Sequence, residues 1–246
     1  MEDQPSSELA TRVLPAPLHH ALRHVFSQGV DGCVLVGGTA IAGYYAGHRR
    51  SDDLELFVRD ANALRATVLA VGSLQSLGAT ITVDQSTSQF CSVTASLEQH
   101  VFTAQVVLDA ALFTFGAGQR AADNVVVATL DTLFKQKAAT LVSRASEKDL
   151  YDLLWLLARR PELSIAEMVA LGREVDQGVN AENMLLVLAS TPSSEAACDF
   201  ALHETPAQVL VRINAFKTRL MDGLDRVARR QPAPKLGELI RALRPR

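Results

Sequence analysis

Residues 35–57, LVGGTAIAGYYAGHRRSDDLELF, contain the turn and the second strand that decide the fold. The apolar run at residues 33–36 ends at Gly37 and Gly38, a pattern that predicts a buried strand entering a tight turn. A short helix is expected to follow the turn, and alternating polar and apolar residues at 53–58 predict a second strand. A strand, a glycine turn and a helix in this order are typical of an α/β domain.

The turn formed by Gly37, Gly38 and Thr39 has the composition of a phosphate-binding loop. Glycine allows the backbone to approach a ligand closely and to adopt a positive φ angle. Amide groups at the start of the following helix carry the positive end of its dipole, which suits a phosphate group. The Thr39 hydroxyl is expected either to cap this helix or to donate to a phosphate oxygen. Taken alone, the same three residues more often form an ordinary tight turn.

Asp53 and Glu55 are a pair of acids on the second strand. They alternate with Leu54 and Leu56, so both carboxylates are expected on one face of the strand and both leucines on the other. Two neighbouring carboxylates repel each other unless an opposite charge lies nearby. Because Mg²⁺ binds carboxylate oxygens together with water and substrate phosphates, the pair predicts a divalent metal site. The alternative is an edge strand that exposes two solvated acids.

A second charged cluster is predicted within residues 130–157, LDTLFKQKAATLVSRASEKDLYDLLWLL. The first helix of this block carries Lys137, and the next helix carries Asp149 and Asp152 on one face. The side chain of Lys137 is expected to point away from the apolar face of its helix, which consists of Leu133, Phe134, Ala138 and Leu141. A lysine that faces the site would neutralise triphosphate charge. The alternative is a set of exposed salt bridges among Lys137, Arg144, Lys148 and Asp149.

The rest of the chain predicts further strands before residue 129 and helices after it. Strand patterns lie at residues 79–84, 90–97, 101–110 and 125–128, and a helical pattern lies at 61–77. Capping residues predict helices that begin after Ser164 and Thr205. The predicted fold class is α/β (α+β), with a mixed-sheet domain followed by a helical C-terminal region. The predicted divisions are a loose lead-in at 1–17, the mixed-sheet domain at 18–160 and the helical region at 161–246.

The two blocks together resemble the signature of the AbiEii-type nucleotidyltransferase toxins, which belong to the DNA polymerase β-like nucleotidyltransferase superfamily. The first pattern of that superfamily is a glycine pair, a short helix and then Arg-x-Ser/Thr-x-Asp-x-Asp/Glu. In this sequence it corresponds to Gly37, Gly38, Arg49, Ser51, Asp53 and Glu55. The second pattern corresponds to Lys137, Arg144, Lys148, Asp149, Asp152 and Leu153. The similarity covers about residues 18–160, and Glu55 stands where aspartate is commoner.

The resemblance implies metal-dependent transfer of a nucleoside monophosphate from a nucleoside triphosphate, by in-line attack on the α-phosphate. Asp53 and Glu55 would bind Mg²⁺ or Mn²⁺. A third carboxylate of the superfamily usually lies on a later strand, where Asp109 is the candidate. Lys137 and Asp152 would be catalytic residues in the same site. The residues implied to contact the nucleotide are Gly37, Gly38, Thr39, Arg49, Ser51, Arg144 and Asp149.

The resemblance also implies an RNA acceptor, with tRNA ends as one known case, and a cognate antitoxin as a partner. Two alternatives stay open, namely transfer to a small molecule such as an antibiotic, and a non-catalytic nucleotide-binding or partner-binding module of the same fold. The net charge of −3 excludes a uniformly basic surface but permits a local basic patch. Three widely spaced cysteines, no signal-peptide pattern and no long apolar stretch predict a cytoplasmic protein without a membrane span.

Overall fold

The computed structural model describes residues 4–116 and 118–241. The chain forms two compact units, one ending at Thr132 and the other beginning at Leu133. The division predicted from the sequence lies near residue 160. Because the boundary in the structure comes earlier, Lys137 and Asp149 belong to the second unit and not to the unit that contains the sheet.

The first unit is built on a mixed sheet that has seven strands within the described residues. The strands are β1 (Cys33–Val36), β2 (Asp53–Val58), β3 (Thr80–Ser86), β4 (Phe90–Leu97), β5 (His100–Leu108), β6 (Gln119–Arg120) and β7 (Val126–Val127). Their order is β3-β4-β5-β2-β1-β7-β6. Strands β2 and β5 are parallel, as are β1 and β7, whereas the other pairs are antiparallel. The predicted α/β fold class with a mixed sheet is confirmed, although β6 was not predicted.

The two faces of the sheet differ because the strands alternate apolar and polar residues. Leu54, Leu56 and Val58 of β2 are buried, and they pair in register with Ala104, Val106 and Leu108 of β5. Two helices, α2 (Ala16–Ser27) and α4 (Ala61–Gly72), pack against this side of the unit. The intervening residues of β2, which include Asp53 and Glu55, therefore lie on the opposite face of the sheet.

The lead-in predicted to be loose contains a helix, α1 (Ser7–Val13). The Ser6 side chain accepts a hydrogen bond from the Leu9 amide, and the Ser6 amide donates to the Tyr44 carbonyl at 2.8 Å. Tyr44 lies in the segment that follows the glycine turn, where α3 (Gly37–Thr39) continues as a π-helical segment, Ala40–Ala46. The helix cap and the hydrogen bond to Tyr44 thus order this segment, which was predicted to be loose from its composition.

The second unit is helical, as predicted. Helix α5 (Leu130–Thr140) leads into it, and the following helices are α6 (Glu147–Leu157), α7 (Ile165–Val175), α8 (Ala181–Ser190), α9 (Pro206–Ala228) and α10 (Leu236–Arg241). The capping boxes at Ser164 and Thr205 are both formed, whereas α8 was not predicted. In the part of the chain that is described, no helix is long and apolar enough to cross a membrane. The three cysteines are buried and form no disulfide.

Candidate active site

Asp53 and Glu55 lie on the same face of β2, as the alternation predicted. Asp53 is exposed at the start of the strand, and Glu55 is partly buried two residues further along. In the neighbouring strand β5, Thr103 is paired with Asp53 and Gln105 with Glu55. On the β5 side, the two acids are therefore bordered by neutral polar residues.

The two glycines of the turn make room for charged side chains. Gly37 has a φ of 66°, and a Cβ atom built on it would collide with the Glu55 carboxylate. A Cβ atom on Gly38 would collide with the guanidinium group of Arg49. Because glycine lacks this atom, one carboxylate and one guanidinium group can lie directly against the backbone of the turn. The turn is consequently part of the same charged site as β2.

Thr39 connects the turn to β2 and does not act as a helix cap. Its buried hydroxyl donates to the Asp53 carbonyl and lies 2.9 Å from Ser51 Oγ. Val36 occupies the position before α3, and no side chain caps that helix. The expected capping role is therefore wrong, and any contact between Thr39 and phosphate would have to compete with these hydrogen bonds.

The segment after the turn is held by a buried polar cluster. The Tyr44 hydroxyl donates to Asp123 Oδ2 at 2.9 Å, and His19 Nε2 lies 2.8 Å from the same oxygen. Burial would raise the pKa of the Asp123 carboxyl, but its hydrogen bonds to His19 and Tyr44 outweigh this effect and hold the pKa below its ordinary value. The cluster anchors the π-helical segment that follows Gly37 and Gly38.

Asp109 does not belong to this site. It follows β5 next to Val58, at the opposite end of β2 from Asp53, as shown by its amide donating to the Val58 carbonyl at 3.0 Å. Val58 is five residue steps along the strand from Asp53, which corresponds to roughly 17 Å. The Asp109 carboxylate instead accepts a hydrogen bond from the Leu112 amide at 3.1 Å. The prediction of Asp109 as a third ligand of the same metal ion is therefore wrong.

The second unit contains a buried ionic cluster around Lys137. Its ammonium group lies 2.8 Å from Asp149 Oδ1 and 3.0 Å from Asp152 Oδ2. Asp149 Oδ2 also accepts a hydrogen bond from the Ser146 hydroxyl at 2.6 Å and forms an ion pair with Arg144 Nε at 3.1 Å. Burial alone would raise the pKa of Asp149, but the charge and hydrogen bond of Lys137 outweigh this effect and lower the pKa.

These contacts correct the expected environment of Lys137. Its side chain is only 8% exposed, and those of Asp149 and Asp152 are 4% and 0% exposed. Lys137 therefore does not point away from the packed interior, nor does it form a surface salt bridge. Arg144, in contrast, has 63% of its side chain exposed. A catalytic or nucleotide-binding role for these four residues stays a prediction.

The donor groups on β2 fit a divalent cation. Two carboxylates on one strand face supply hard oxygen donors, and Mg²⁺ commonly binds through one or two carboxylates while water and substrate phosphates complete its coordination. Across residues 4–116 and 118–241, no group of three or more histidine, cysteine or acidic side chains converges to form a complete protein cage for a metal. Asp53 and Glu55 are thus suited to a metal that is shared with a phosphate-containing substrate.

Thr103 and Gln105 were not identified from the sequence. The alternation in Phe102-Thr103-Ala104-Gln105-Val106 indicates that both residues share one strand face. What the sequence does not show is that this strand pairs with β2, which lies about fifty residues earlier in the chain. Knowledge of that pairing would have placed both residues beside the acids.

A mixed sheet with a glycine turn after β1 and two acids on β2 is consistent with the nucleotidyltransferase class that the resemblance implied. The family described as "Nucleotidyl transferase AbiEii toxin, Type IV TA system" matches residues 20–239. The chain therefore belongs to the AbiEii family of toxin–antitoxin nucleotidyltransferases, and the protein is a nucleotidyltransferase. This result confirms the resemblance noted in the two sequence blocks.

Three solved structures are similar to this chain at low sequence identity. A Helicobacter pylori protein described as a candidate nucleotidyltransferase has a TM-score of 0.50 at 15% identity, covering 85% of this chain and 95% of that chain. JHP933 from Helicobacter pylori has a TM-score of 0.49 at 14% identity, covering 92% and 97%. The nucleotidyltransferase toxin MenT4 from Mycobacterium tuberculosis has a TM-score of 0.47 at 18% identity, covering 97% and 98%. No curated protein matches the sequence.

Proposed function

We propose that this nucleotidyltransferase moves a nucleoside monophosphate from a nucleoside triphosphate to RNA, with tRNA as the acceptor, in a reaction that requires Mg²⁺ or Mn²⁺. In this proposal it is the toxin of a pair and is neutralised by a cognate antitoxin. The proposed metal dependence is supported by the position of Asp53 and Glu55. Both lie on one face of β2, directly beside the turn at Gly37 and Gly38.

Residues of the first unit would bind both the phosphate groups and the metal. In this proposal the phosphate groups approach the turn beside Gly38, where the Arg49 guanidinium lies against the backbone and balances their negative charge. Asp53 and Glu55 would hold the metal. When bound, Mg²⁺ or Mn²⁺ supplies a Lewis acid that reduces the charge repelling the attacking group and stabilises the leaving pyrophosphate. The remaining contribution of the protein is to position the reacting groups.

An RNA acceptor is supported by charge in the second unit and by family membership. Basic residues outnumber acidic residues between positions 212 and 241. The basic residues are Arg212, Lys217, Arg219, Arg226, Arg229, Arg230, Lys235 and Arg241, and the acidic residues are Asp222, Asp225 and Glu238. Some of this charge is already paired, because Arg229 lies 2.8 Å from Asp225 and Arg212 lies 3.0 Å from Glu204. The remaining excess of positive charge favours a polyanion such as RNA.

A transfer assay tests the proposal. The protein is incubated with each α-labelled nucleoside triphosphate, with Mg²⁺ or with a chelator, in the presence of total tRNA or of small-molecule acceptors such as aminoglycosides. The expected result is label on tRNA that depends on the metal. Label on a small molecule alone would support the antibiotic-type alternative, and triphosphate binding without transfer to any acceptor would support the non-catalytic module. Metal-independent labelling of tRNA would contradict the proposed site.

A further inference from the structure

The hydroxyl of Thr103 makes a short hydrogen bond to one carboxylate of the candidate metal site. Thr103 lies directly opposite Asp53 in the parallel pairing of β5 and β2, and its Oγ1 donates to Asp53 Oδ1 at 2.6 Å. This length is typical of a charge-assisted bond between a hydroxyl group and an ionised carboxylate. We propose that Thr103 is a positioning residue that orients the Asp53 carboxylate for metal binding. This inference rests on the proposed function, in which Asp53 binds the metal.

The physical argument concerns the freedom of the Asp53 side chain. Asp53 is exposed, so packing does not fix its carboxylate. Threonine is β-branched and therefore restricted in χ1, which makes it a rigid donor within a strand. One hydrogen bond to Oδ1 fixes the plane of the carboxylate and leaves Oδ2, with the second lone pair of Oδ1, available for other partners. The metal would then bind to an Asp53 carboxylate that is already oriented.

Thr94 provides a matched control on the neighbouring strand. It is paired directly with Thr103 in the antiparallel register of β4 and β5 and lies on the same face of the sheet. Its hydroxyl donates to Asp84 Oδ2 at 2.9 Å and not to either acid of β2. Thr94→Val and Thr103→Val therefore remove the same atom from the same sheet face, but only the second removes a contact to Asp53.

The test is a Mn²⁺ titration of purified protein, in which free Mn²⁺ is followed by electron paramagnetic resonance. The wild type is compared with Thr103→Val, Thr103→Ser, Thr94→Val and Asp53→Asn, and melting temperatures are recorded for all of them. Removing an outer partner of a metal ligand typically costs 10-fold to 100-fold in affinity, so Thr103→Val is expected to weaken Mn²⁺ binding about 10-fold. Thr103→Ser keeps the hydroxyl and is expected to stay close to the wild type, as is Thr94→Val.

The outcomes separate this inference from the proposed function. If the wild type binds Mn²⁺, Asp53→Asn abolishes binding and Thr103→Val binds as tightly as the wild type, the positioning role is wrong while the metal site stands. Equal losses in Thr103→Ser and Thr103→Val, or in Thr94→Val and Thr103→Val, would likewise overturn it. A wild type that binds no Mn²⁺ would overturn both the metal site and the role of Thr103.

Discussion

Gly37 and Glu55 meet at the end of β1, where the backbone of one residue lies against the carboxylate of the other. The register of β1 and β2 places Val36 opposite Glu55, so the next residue along β1 has to leave space for the glutamate side chain. Gly37 provides that space and also adopts a φ of 66°, a conformation that favours glycine. The position of one of the two acids thus depends on the absence of a single Cβ atom.

Gly37→Ala is expected to impair both folding and metal binding. Alanine at a positive φ costs about 1–2 kcal/mol of stability, and its Cβ would displace the Glu55 carboxylate. Gly78→Ala is the matched control, because Gly78 has a φ of 87° but open space around its Cα. We expect both variants to lower the melting temperature and only Gly37→Ala to weaken Mn²⁺ binding. A Gly37→Ala protein with wild-type Mn²⁺ affinity would contradict the close contact with Glu55.

At the scale of elements, α5 and α6 are joined by the ionic cluster of Lys137, Asp149 and Asp152. One buried ammonium group lies between two buried carboxylates. The Ser146 hydroxyl donates a further hydrogen bond to Asp149, and the Arg144 guanidinium forms an ion pair with it. Removing one member of such a cluster leaves an uncompensated charge in a region of low dielectric constant. Lys137 is therefore important for stability whether or not it also takes part in catalysis.

Lys137→Ala is expected to destabilise the protein by about 3–5 kcal/mol, the usual cost of breaking a buried ion pair. Lys148→Ala on the exposed side of α6 is the control and should change stability by no more than about 0.5 kcal/mol. Urea denaturation of both variants measures the difference. A Lys137→Ala protein as stable as the Lys148→Ala protein would show that the cluster contributes little. A loss of transfer rate in Lys137→Ala would not by itself identify a catalytic residue.

The elements that were predicted correctly are those whose signals are local in the sequence. The run at 33–36, the alternation at 53–58 and the capping residues Ser164 and Thr205 each specify structure within a few neighbouring positions. Asp109 was misassigned because its distance from Asp53 depends on the register between β2 and β5. The burial of Lys137 was not predicted. Helical periodicity identifies the apolar face of α5, but it does not show that α6 brings two acids to the lysine.

For the molecule as a whole, the loss of folding stability at acid pH is expected to depend on Asp149. The pKa of this carboxyl is lowered in the folded protein, so its contribution to stability is present above its unfolded pKa of about 3.9 and is lost as the pH falls through the folded value. Melting temperatures measured from pH 6 to pH 2 should therefore fall more steeply for the wild type than for Asp149→Asn below about pH 4.

Asp225→Asn is the control for the pH experiment. Asp225 is paired with Arg229 on α9, and the two side chains are 47% and 67% exposed, so the pair is screened by solvent and should contribute little. We expect this variant to follow the wild-type pH profile. An Asp149→Asn profile that is parallel to the wild type through the acid range would contradict the stabilising role of the ionised carboxylate.

The proposed role of the β2 acid pair in nucleotidyl transfer can be tested by measuring how fast two neighbouring variants transfer labelled nucleotide. Asp53→Asn removes a proposed metal ligand, whereas Asp52→Asn makes the same change one residue earlier, before β2 begins. We expect a loss of about 10²-fold or more in the transfer rate of Asp53→Asn, because metal binding is worth several kcal/mol in the transition state. We expect a nearly unchanged rate for Asp52→Asn, and melting temperatures close to that of the wild type for both variants. A wild-type transfer rate in Asp53→Asn would show that the Asp53 carboxylate is not required for nucleotidyl transfer.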